Sequence, residues 1–223
     1  MSAPSPLRKP EPERAPDFLA PLVDKLRTST RDDLMRSGPP ETGSREAAVL
    51  VLVGESAAGP DVLLTQRSST MRNHRGQVSF PGGSTDPGDG GSIGTALREA
   101  EEEVGLDPTA VHPLSVMPDL YIPRSGFAVV PVLAWADGDY EVHVREPAEV
   151  ARVERVPISA LVDPAHRFTV THPMGYRGPA FEVDGLFIWG FTAGVLDRLL
   201  DLGGFASAWD ETTERLLPER YMR

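Results

Sequence analysis

Residues 82–106 read GGSTDPGDGGSIGTALREAEEEVGL, and they carry the strongest structural signal in the chain. Its first ten residues are rich in glycine and include a proline and two aspartates, which is the composition of a loop. Ser92 to Val104 then has helical periodicity, with Ser92 placed as the N-cap and Gly105 placed to end the helix. The stretch therefore predicts a glycine-rich loop followed by a helix.

Three carboxylates lie along one edge of this predicted helix. At about 100° per residue, Glu99, Glu102 and Glu103 share an edge beside an apolar stripe that runs from Ile93 to Val104. Like charges three or four residues apart destabilise a helix by roughly 0.2–0.5 kcal/mol per pair, and Arg98 offers local relief. A divalent cation with oxygen ligands would offset this repulsion. A solvated acidic face is the simpler alternative.

The composition of the whole chain restricts the function classes. Its 223 residues include 22 basic and 33 acidic residues, and the formal charge of −11 argues against non-specific nucleic-acid binding and polybasic membrane contact. The absence of cysteine excludes a disulfide framework, a thiolate zinc site and cysteine nucleophile chemistry. No stretch approaches the roughly 18 apolar residues of a membrane span, and the first residues have no apolar run, so we expect neither a membrane span nor a signal peptide. We therefore expect a cytoplasmic protein.

The charge is unevenly distributed along the chain. The segment from Asp86 to Asp119 holds eight acidic residues and one basic residue. Immediately upstream, between Val62 and Gly83, acidic residues are absent and cationic side chains cluster: Arg67, Arg72, His74 and Arg75. A basic segment beside an acidic one suits a site that binds an anion with the first and a divalent metal with the second.

Four regions are expected along the chain. Residues 1–16 are predicted to be a disordered leader, residues 17–44 a helical extension and loop, residues 45–203 the main domain, and residues 204–223 a tail. The apolar run from Ala47 to Val53 predicts a buried strand. Further strand candidates are residues 62–66, 78–80, 114–120, 127–136, 141–144, 149–156 and 181–188, and a last helix is expected over 191–202. Because regular βαβ alternation is missing, we expect an α/β or α+β sandwich rather than a Rossmann sheet.

Residues 82–106 resemble the Nudix box. Arg98 to Leu106 matches the second half of that motif, R-E-hydrophobic-x-E-E-x-G-hydrophobic, at every position. The first half departs from it, because Asp89 replaces the common glutamate and eight residues rather than seven separate it from Arg98. The resemblance implies an α/β class fold, a Nudix-type α/β/α sandwich with a mixed central sheet.

The segment upstream of the box points to a subgroup. Leu63 to Gly83, reading LLTQRSSTMRNHRGQVSFPGG, resembles the second signature of Nudix enzymes that look like coenzyme A pyrophosphatases. The extended loop also fits that subgroup. Glu154 departs from it, because an aromatic residue is expected there.

The resemblance implies a magnesium or manganese site. Glu99 and Glu103 are its expected ligands, and Glu102 is a further ligand or the group that orients the attacking water. The Gly83 carbonyl is another candidate ligand, and Arg98 is expected to hold the glutamates in place. Asp86 and Asp89 either form a turn or help to hold outer metals. The general base stays open among Glu146, Glu149 and Glu154.

The implied reaction is metal-dependent hydrolysis of the diphosphate linkage of coenzyme A or its thioesters. The products would be 3′,5′-ADP and 4′-phosphopantetheine or its acyl form. Arg67, Arg72, His74 and Arg75 are candidates to bind the diphosphate or the 3′-phosphate. Two alternatives stay open, a Nudix hydrolase for ADP-ribose, a dinucleotide or an oxidised nucleotide, and a non-catalytic nucleotide sensor. The sequence leaves the oligomeric state open, with a homodimer as one option.

Overall fold

The computed structural model of the chain describes residues 8–35, 38–71, 74–138 and 140–222. Within these ranges the α-helices are α1 Ala20–Leu26, α2 Arg31–Leu34, α3 Ser92–Val104, α4 Ile158–Val162 and α5 Gly190–Leu202. The strands are β1 Arg45–Ser56, β2 Gly59–Arg67, β3 Val78–Ser79, β4 Gly82–Ser84, β5 Val111–Val116, β6 Leu120–Ile122, β7 Phe127–Ala136, β8 Val150–Pro157, β9 Arg167–Thr171, β10 Arg177–Val183, β11 Leu186–Ile188 and β12 Glu214–Leu216.

The first sheet is mixed, as the resemblance implies. Its strands follow the order β3-β2-β1-β7-β5, while β4, β6 and β8 pair with β1, β7 and β2 respectively. Strand β1 runs parallel to β7 and antiparallel to β2. The α/β class with a mixed central sheet is therefore confirmed.

Strand β1 is the centre of this sheet and is buried on both faces. Leu50 and Leu52 pack into a cluster with the apolar stripe of α3. Val51 and Val53 pack on the opposite face, in a cluster that includes residues of α1 and α5. Because side chains alternate across a strand, the continuous apolar run of β1 places helices on both sides of one sheet.

A second sheet corrects the expectations for the C-terminal third. Its strand order is β11-β10-β9-β12. The single strand expected over 181–188 is instead a hairpin, turned at Asp184 and Gly185 with φ of 49° and 77°. The expected strand over 141–144 does not form. The C-terminal tail is part of the second sheet, because β12 pairs with β9 in parallel.

The N-terminal segment also differs from the expectation. Disorder was predicted for residues 1–16, but residues 8–16 lie against the first sheet: the Glu11 N–H donates to the Pro113 carbonyl at 2.7 Å, and an Arg8 nitrogen donates to the Pro108 carbonyl at 3.0 Å. Residues 1–7 lie outside the described residues. In the described ranges, every helix is too short or too polar to cross a lipid bilayer.

Candidate active site

Helix α3 presents the acidic edge expected from the sequence. It spans Ser92–Val104 and ends at Gly105, whose left-handed φ of 67° favours glycine. The N-cap is Gly91, with φ of 99°, so the assignment of Ser92 as the cap was wrong by one residue. The apolar stripe is buried against the sheet, which fixes the direction in which the glutamates point.

The two glycines before the helix allow very close packing. Strand β4 pairs with β1, and a Cβ on Gly82 would lie 2.4 Å from the Ala48 carbonyl oxygen. A Cβ on Gly83 would lie 2.5 Å from the carboxylate atoms of Glu99. The space beside Gly83 is therefore taken by the Glu99 carboxylate, which lies directly against the β4 backbone.

Glu103 is a buried carboxylate with little to balance its charge. It is 4% exposed, and its Oε2 accepts a hydrogen bond from the Gly82 N–H at 3.2 Å. Burial raises the pKa of Glu103 to about 7, opposed by the charge of Arg67 and by the Gly82 N–H. Burial also raises the pKa of Glu99, opposed by Arg98. Both carboxylates thus lie where a cation would favour their charged form.

Arg98 connects the glycine-rich loop to the acidic edge of α3. One of its terminal nitrogens lies 3.0 Å from both a Glu99 and a Glu102 carboxylate oxygen. Its other terminal nitrogen donates to the Ser84 carbonyl at 3.0 Å. Its Nε donates to Asp89 at 2.7 Å. The guanidinium group therefore orients two glutamates while it is itself held by the loop.

Asp89 faces inward and holds this arrangement together. Its side chain is 4% exposed and accepts hydrogen bonds from two Arg98 nitrogens, from the Thr95 hydroxyl at 2.8 Å and from the Asp86 N–H at 2.9 Å. The hydrogen bond from Arg98 is the main reason why the pKa of Asp89 falls to about 2. Of the two roles considered from the sequence, the turn is the one that fits Asp89, because its oxygens accept hydrogen bonds from Asp86 in the loop and from Thr95 and Arg98 of α3.

The comparisons with known proteins agree with this geometry. The profile of the NUDIX domain family matches residues 43–173, which is more than half of the chain. The chain belongs to the Nudix family.

Its relatives are hydrolases. The Nudix hydrolase NudL of Citrobacter koseri, described as uncharacterized, is 40% identical over 162 residues, covering 70% of this chain and 81% of that protein. The uncharacterized NudL of Escherichia coli K12 is 38% identical over the same shares. The solved Nudix hydrolase RenU of M. smegmatis has a TM-score of 0.50 at 18% identity, over 75% of this chain and 91% of that chain, which shows the same fold. This Nudix protein is therefore a pyrophosphohydrolase.

Among the three candidates for a general base in this Nudix site, Glu149 is distinguished by its position. Its charge contributes to the raised pKa of both Glu99 and Glu103, so it lies within electrostatic range of them. The Glu146 carboxylate accepts from the Ala148 N–H at 3.2 Å, and Glu154 pairs with Arg152 at 2.5 Å. These two carboxylates are occupied by local contacts, whereas Glu149 lies near the acidic edge.

The candidate substrate cations separate into two groups. Arg67 acts electrostatically on Glu103, and its buried Nε has no hydrogen-bond partner among the described residues. His74 and Arg75 are exposed and bonded locally, His74 with the Gln77 side chain at 2.9 Å and Arg75 with the Met71 carbonyl at 2.6 Å. Arg72 lies outside the described residues. Arg67 is therefore the cation that the structure brings to the glutamates.

Nudix hydrolases generally use divalent metal ions, and the donor chemistry of this site fits such an ion. Glu99, Glu103 and the Gly83 carbonyl offer only oxygen ligands, which suit Mg²⁺ and Mn²⁺. The buried charge of Glu103, with a single N–H donor, needs a countercharge. In the described part of the chain, however, no three Asp, Glu or His side chains are already grouped as a complete ligand set. Exposed Glu102, held by Arg98, would have to turn to become a ligand.

Two features of the site were not predicted from the sequence. Asp89 anchors Arg98 across nine positions, a spacing that carries no helical signal. The approach of Glu149 to α3 follows from the pairing of β8 with β2, which no local pattern indicates. Asp89, which replaces the common glutamate of the box, was the one sequence signal for its contact with Arg98. No sequence signal indicated that Glu149 would approach α3.

Proposed function

We propose that this Nudix hydrolase cleaves the diphosphate linkage of coenzyme A or its thioesters with Mg²⁺ or Mn²⁺. The observation that carries the chemistry is the pair formed by buried Glu103 and partly buried Glu99, packed on Gly82 and Gly83, with the charge of Arg67 acting on Glu103. The Leu63–Gly83 segment supports the assignment of coenzyme A as the substrate, because this segment contains Arg67 and leads directly into β4.

In this proposal the glutamates and the β4 backbone hold the metal. Glu99, Glu103 and the Gly83 carbonyl would be its ligands, with Glu102 as a further ligand or as the group that orients water. A bound metal ion lowers the pKa of a water molecule and neutralises charge that builds on the phosphoryl oxygens. Arg98 keeps Glu99 and Glu102 in place through its contacts at 3.0 Å.

The remaining steps belong to Glu149 and the arginines. Glu149 accepts the proton of the attacking water, whose oxygen bonds to one phosphorus of the diphosphate. The bond from that phosphorus to the bridging oxygen breaks, which releases 3′,5′-ADP and 4′-phosphopantetheine or its acyl form. Arg67, whose charge acts on Glu103, binds the diphosphate through its guanidinium group. His74 and Arg75, which are exposed on the same segment, are assigned to the 3′-phosphate, and Arg72 is a further candidate for this group.

Product analysis tests this function. Purified protein is incubated with coenzyme A, acetyl-coenzyme A, ADP-ribose and a dinucleotide, each with magnesium, manganese or chelator, and the products are identified by chromatography and mass spectrometry. We expect metal-dependent release of 3′,5′-ADP from coenzyme A or its thioester. Cleavage of ADP-ribose or the dinucleotide alone would contradict coenzyme A as the substrate but would still support hydrolysis of a diphosphate linkage. Binding of these nucleotides without any cleavage would favour the sensor.

A further inference from the structure

The C-terminal end of the chain reaches the segment that carries the candidate substrate cations. Tyr221 lies in a 3₁₀ helix over Glu219–Tyr221, and its side chain is buried. Its hydroxyl donates a hydrogen bond to the carbonyl oxygen of Gly76 at 3.3 Å. Gly76 directly follows His74 and Arg75. A residue 145 positions away in the chain therefore contacts this segment.

The turn formed by residues 74–77 is backbone-strained and otherwise held from within its own hairpin. His74 and Gly76 have φ of 57° and 65°, a conformation that is unfavourable for histidine. The Gly76 N–H donates to the Arg67 carbonyl at 3.1 Å, and the Gln66 side chain donates to the Gly76 carbonyl at 3.2 Å. Among the hydrogen bonds of the described residues, Tyr221 provides the contact that comes from outside residues 66–77.

Tyr221 is itself firmly placed by the second sheet. Its ring stacks on Phe187 of β11 with centroids 5.7 Å apart and an interplanar angle of 23°, and it lies 6.0 Å from the ring of Trp189. The preceding Leu217 is buried, and its N–H donates to the Thr171 carbonyl at 2.9 Å. A ring packed in this way holds its hydroxyl at one place, beside the Gly76 carbonyl that Gln66 also contacts.

We infer that Tyr221 is a positioning residue for substrate binding. Through Gly76 it holds the 74–77 turn in the conformation that presents His74 and Arg75 to the anionic substrate. The second sheet, most of which lies beyond the matched residues 43–173, thereby contributes to substrate affinity without contacting the substrate. The inference rests on the proposed function for the role of these two side chains, but the contact between Tyr221 and the turn does not.

Tyr221→Phe tests the inference, because it keeps the packed ring and removes only the hydroxyl. The matched control is Tyr176→Phe, which removes a hydroxyl from the same aromatic cluster. The Tyr176 ring lies 6.0 Å from that of Trp189, and its hydroxyl bonds to the Gly190 backbone instead of the turn. In steady-state assays with coenzyme A, we expect Tyr221→Phe to raise KM about threefold to fivefold with kcat within about twofold. Tyr176→Phe should change neither constant.

Hydrogen exchange of the backbone amides provides a readout that does not depend on activity. In Tyr221→Phe, we expect peptides that contain residues 74–77 to exchange faster than in the unmodified protein, while peptides from α3 and β1 exchange at the same rate. Tyr176→Phe should leave the 74–77 peptides unchanged. Unaltered exchange in Tyr221→Phe would overturn the positioning role, because the turn would then not depend on the hydroxyl.

The two measurements separate failure of this inference from failure of the proposed function. If the protein cleaves none of the substrates but exchange rises in residues 74–77, the proposed function fails and the structural coupling stands. If coenzyme A is cleaved and exchange rises while KM stays the same, the coupling exists but does not serve substrate binding, and the inference is overturned. A fall in kcat at constant KM would also overturn it.

Discussion

Asp89 and Glu103 are two buried carboxylates of the candidate site, and their pKa values move in opposite directions. They are 6% and 4% exposed, yet the pKa of Asp89 falls to about 2 and that of Glu103 rises to about 7. Asp89 accepts hydrogen bonds from Arg98, Thr95 and the Asp86 N–H. Glu103 accepts one, from the Gly82 N–H. Hydrogen-bond partners, rather than the extent of burial, decide which carboxylate is structural and which stays ready to bind a cation.

Removing the charge of Glu103 should give the largest effect on function. We expect Glu103→Gln to lower metal-dependent kcat by about 10³-fold, because a ligand to the metal is lost. In chelator its melting temperature should equal or exceed that of the unmodified protein, since the amide buries no charge. Turnover assays and thermal unfolding measure the two effects.

Glu101→Gln is the matched control for Glu103→Gln. Glu101 lies on the same helix, but its side chain is half exposed and pairs with Arg145 at 3.8 Å. Its replacement should leave turnover within about twofold. Near-normal turnover in Glu103→Gln would contradict the metal assignment, and equal losses in both variants would indicate damage to the helix.

Asp89 should contribute mainly to stability, and only above its titration range. Because its folded pKa of about 2 lies below the reference value of 3.8, its contribution is present above about pH 4 and is lost as the pH falls towards 2. We expect Asp89→Asn to lower the free energy of unfolding at pH 7 by about 2 kcal/mol, and the difference between the two proteins to shrink in acid. Denaturant unfolding at pH 7, 4 and 2.5 measures this. A difference that persists unchanged at pH 2.5 would exclude the carboxylate as its source.

The close packing of Gly83 on Glu99 allows a more local test. Because its Cβ would lie 2.5 Å from that carboxylate, Gly83→Ala should displace Glu99 and lower kcat about tenfold to thirtyfold, with little effect on unfolding. Gly88→Ala is the control in the same loop, since a Cβ there meets nothing within 4 Å. If both variants kept full turnover, the position of Glu99 would not matter for catalysis.

Arg67→Lys should have the smallest effect of the four. The lysine keeps the positive charge near Glu103 but cannot supply the planar set of guanidinium N–H donors that suits a diphosphate. We expect KM for the diphosphate substrate to rise about fivefold, with kcat within about twofold. Arg177→Lys serves as the control, because Arg177 pairs with Glu214 on the second sheet. A loss in kcat larger than the rise in KM would indicate that Arg67 acts in the chemical step and not only in substrate binding.

Local patterns predicted the parts of the site that depend on neighbouring residues. The bounds of α3, its buried stripe and its C-terminal Gly105 follow from periodicity and capping, which act within one or two turns. The N-terminal segment and the second sheet were misjudged. Arg8 and β12 are ordered by hydrogen bonds to residues distant in the chain, so composition alone favoured disorder and a tail.

The fold class, the acidic edge of α3 and the family to which the box belongs could be predicted from the sequence alone, because each depends on the order and spacing of adjacent residues. Which carboxylate is anchored, which of the three general-base candidates lies near the acidic edge and how Tyr221 contacts Gly76 follow from the tertiary structure alone. These depend on strand pairing, which brings together residues as far as 145 positions apart, and on burial, which sets the cost of each charge.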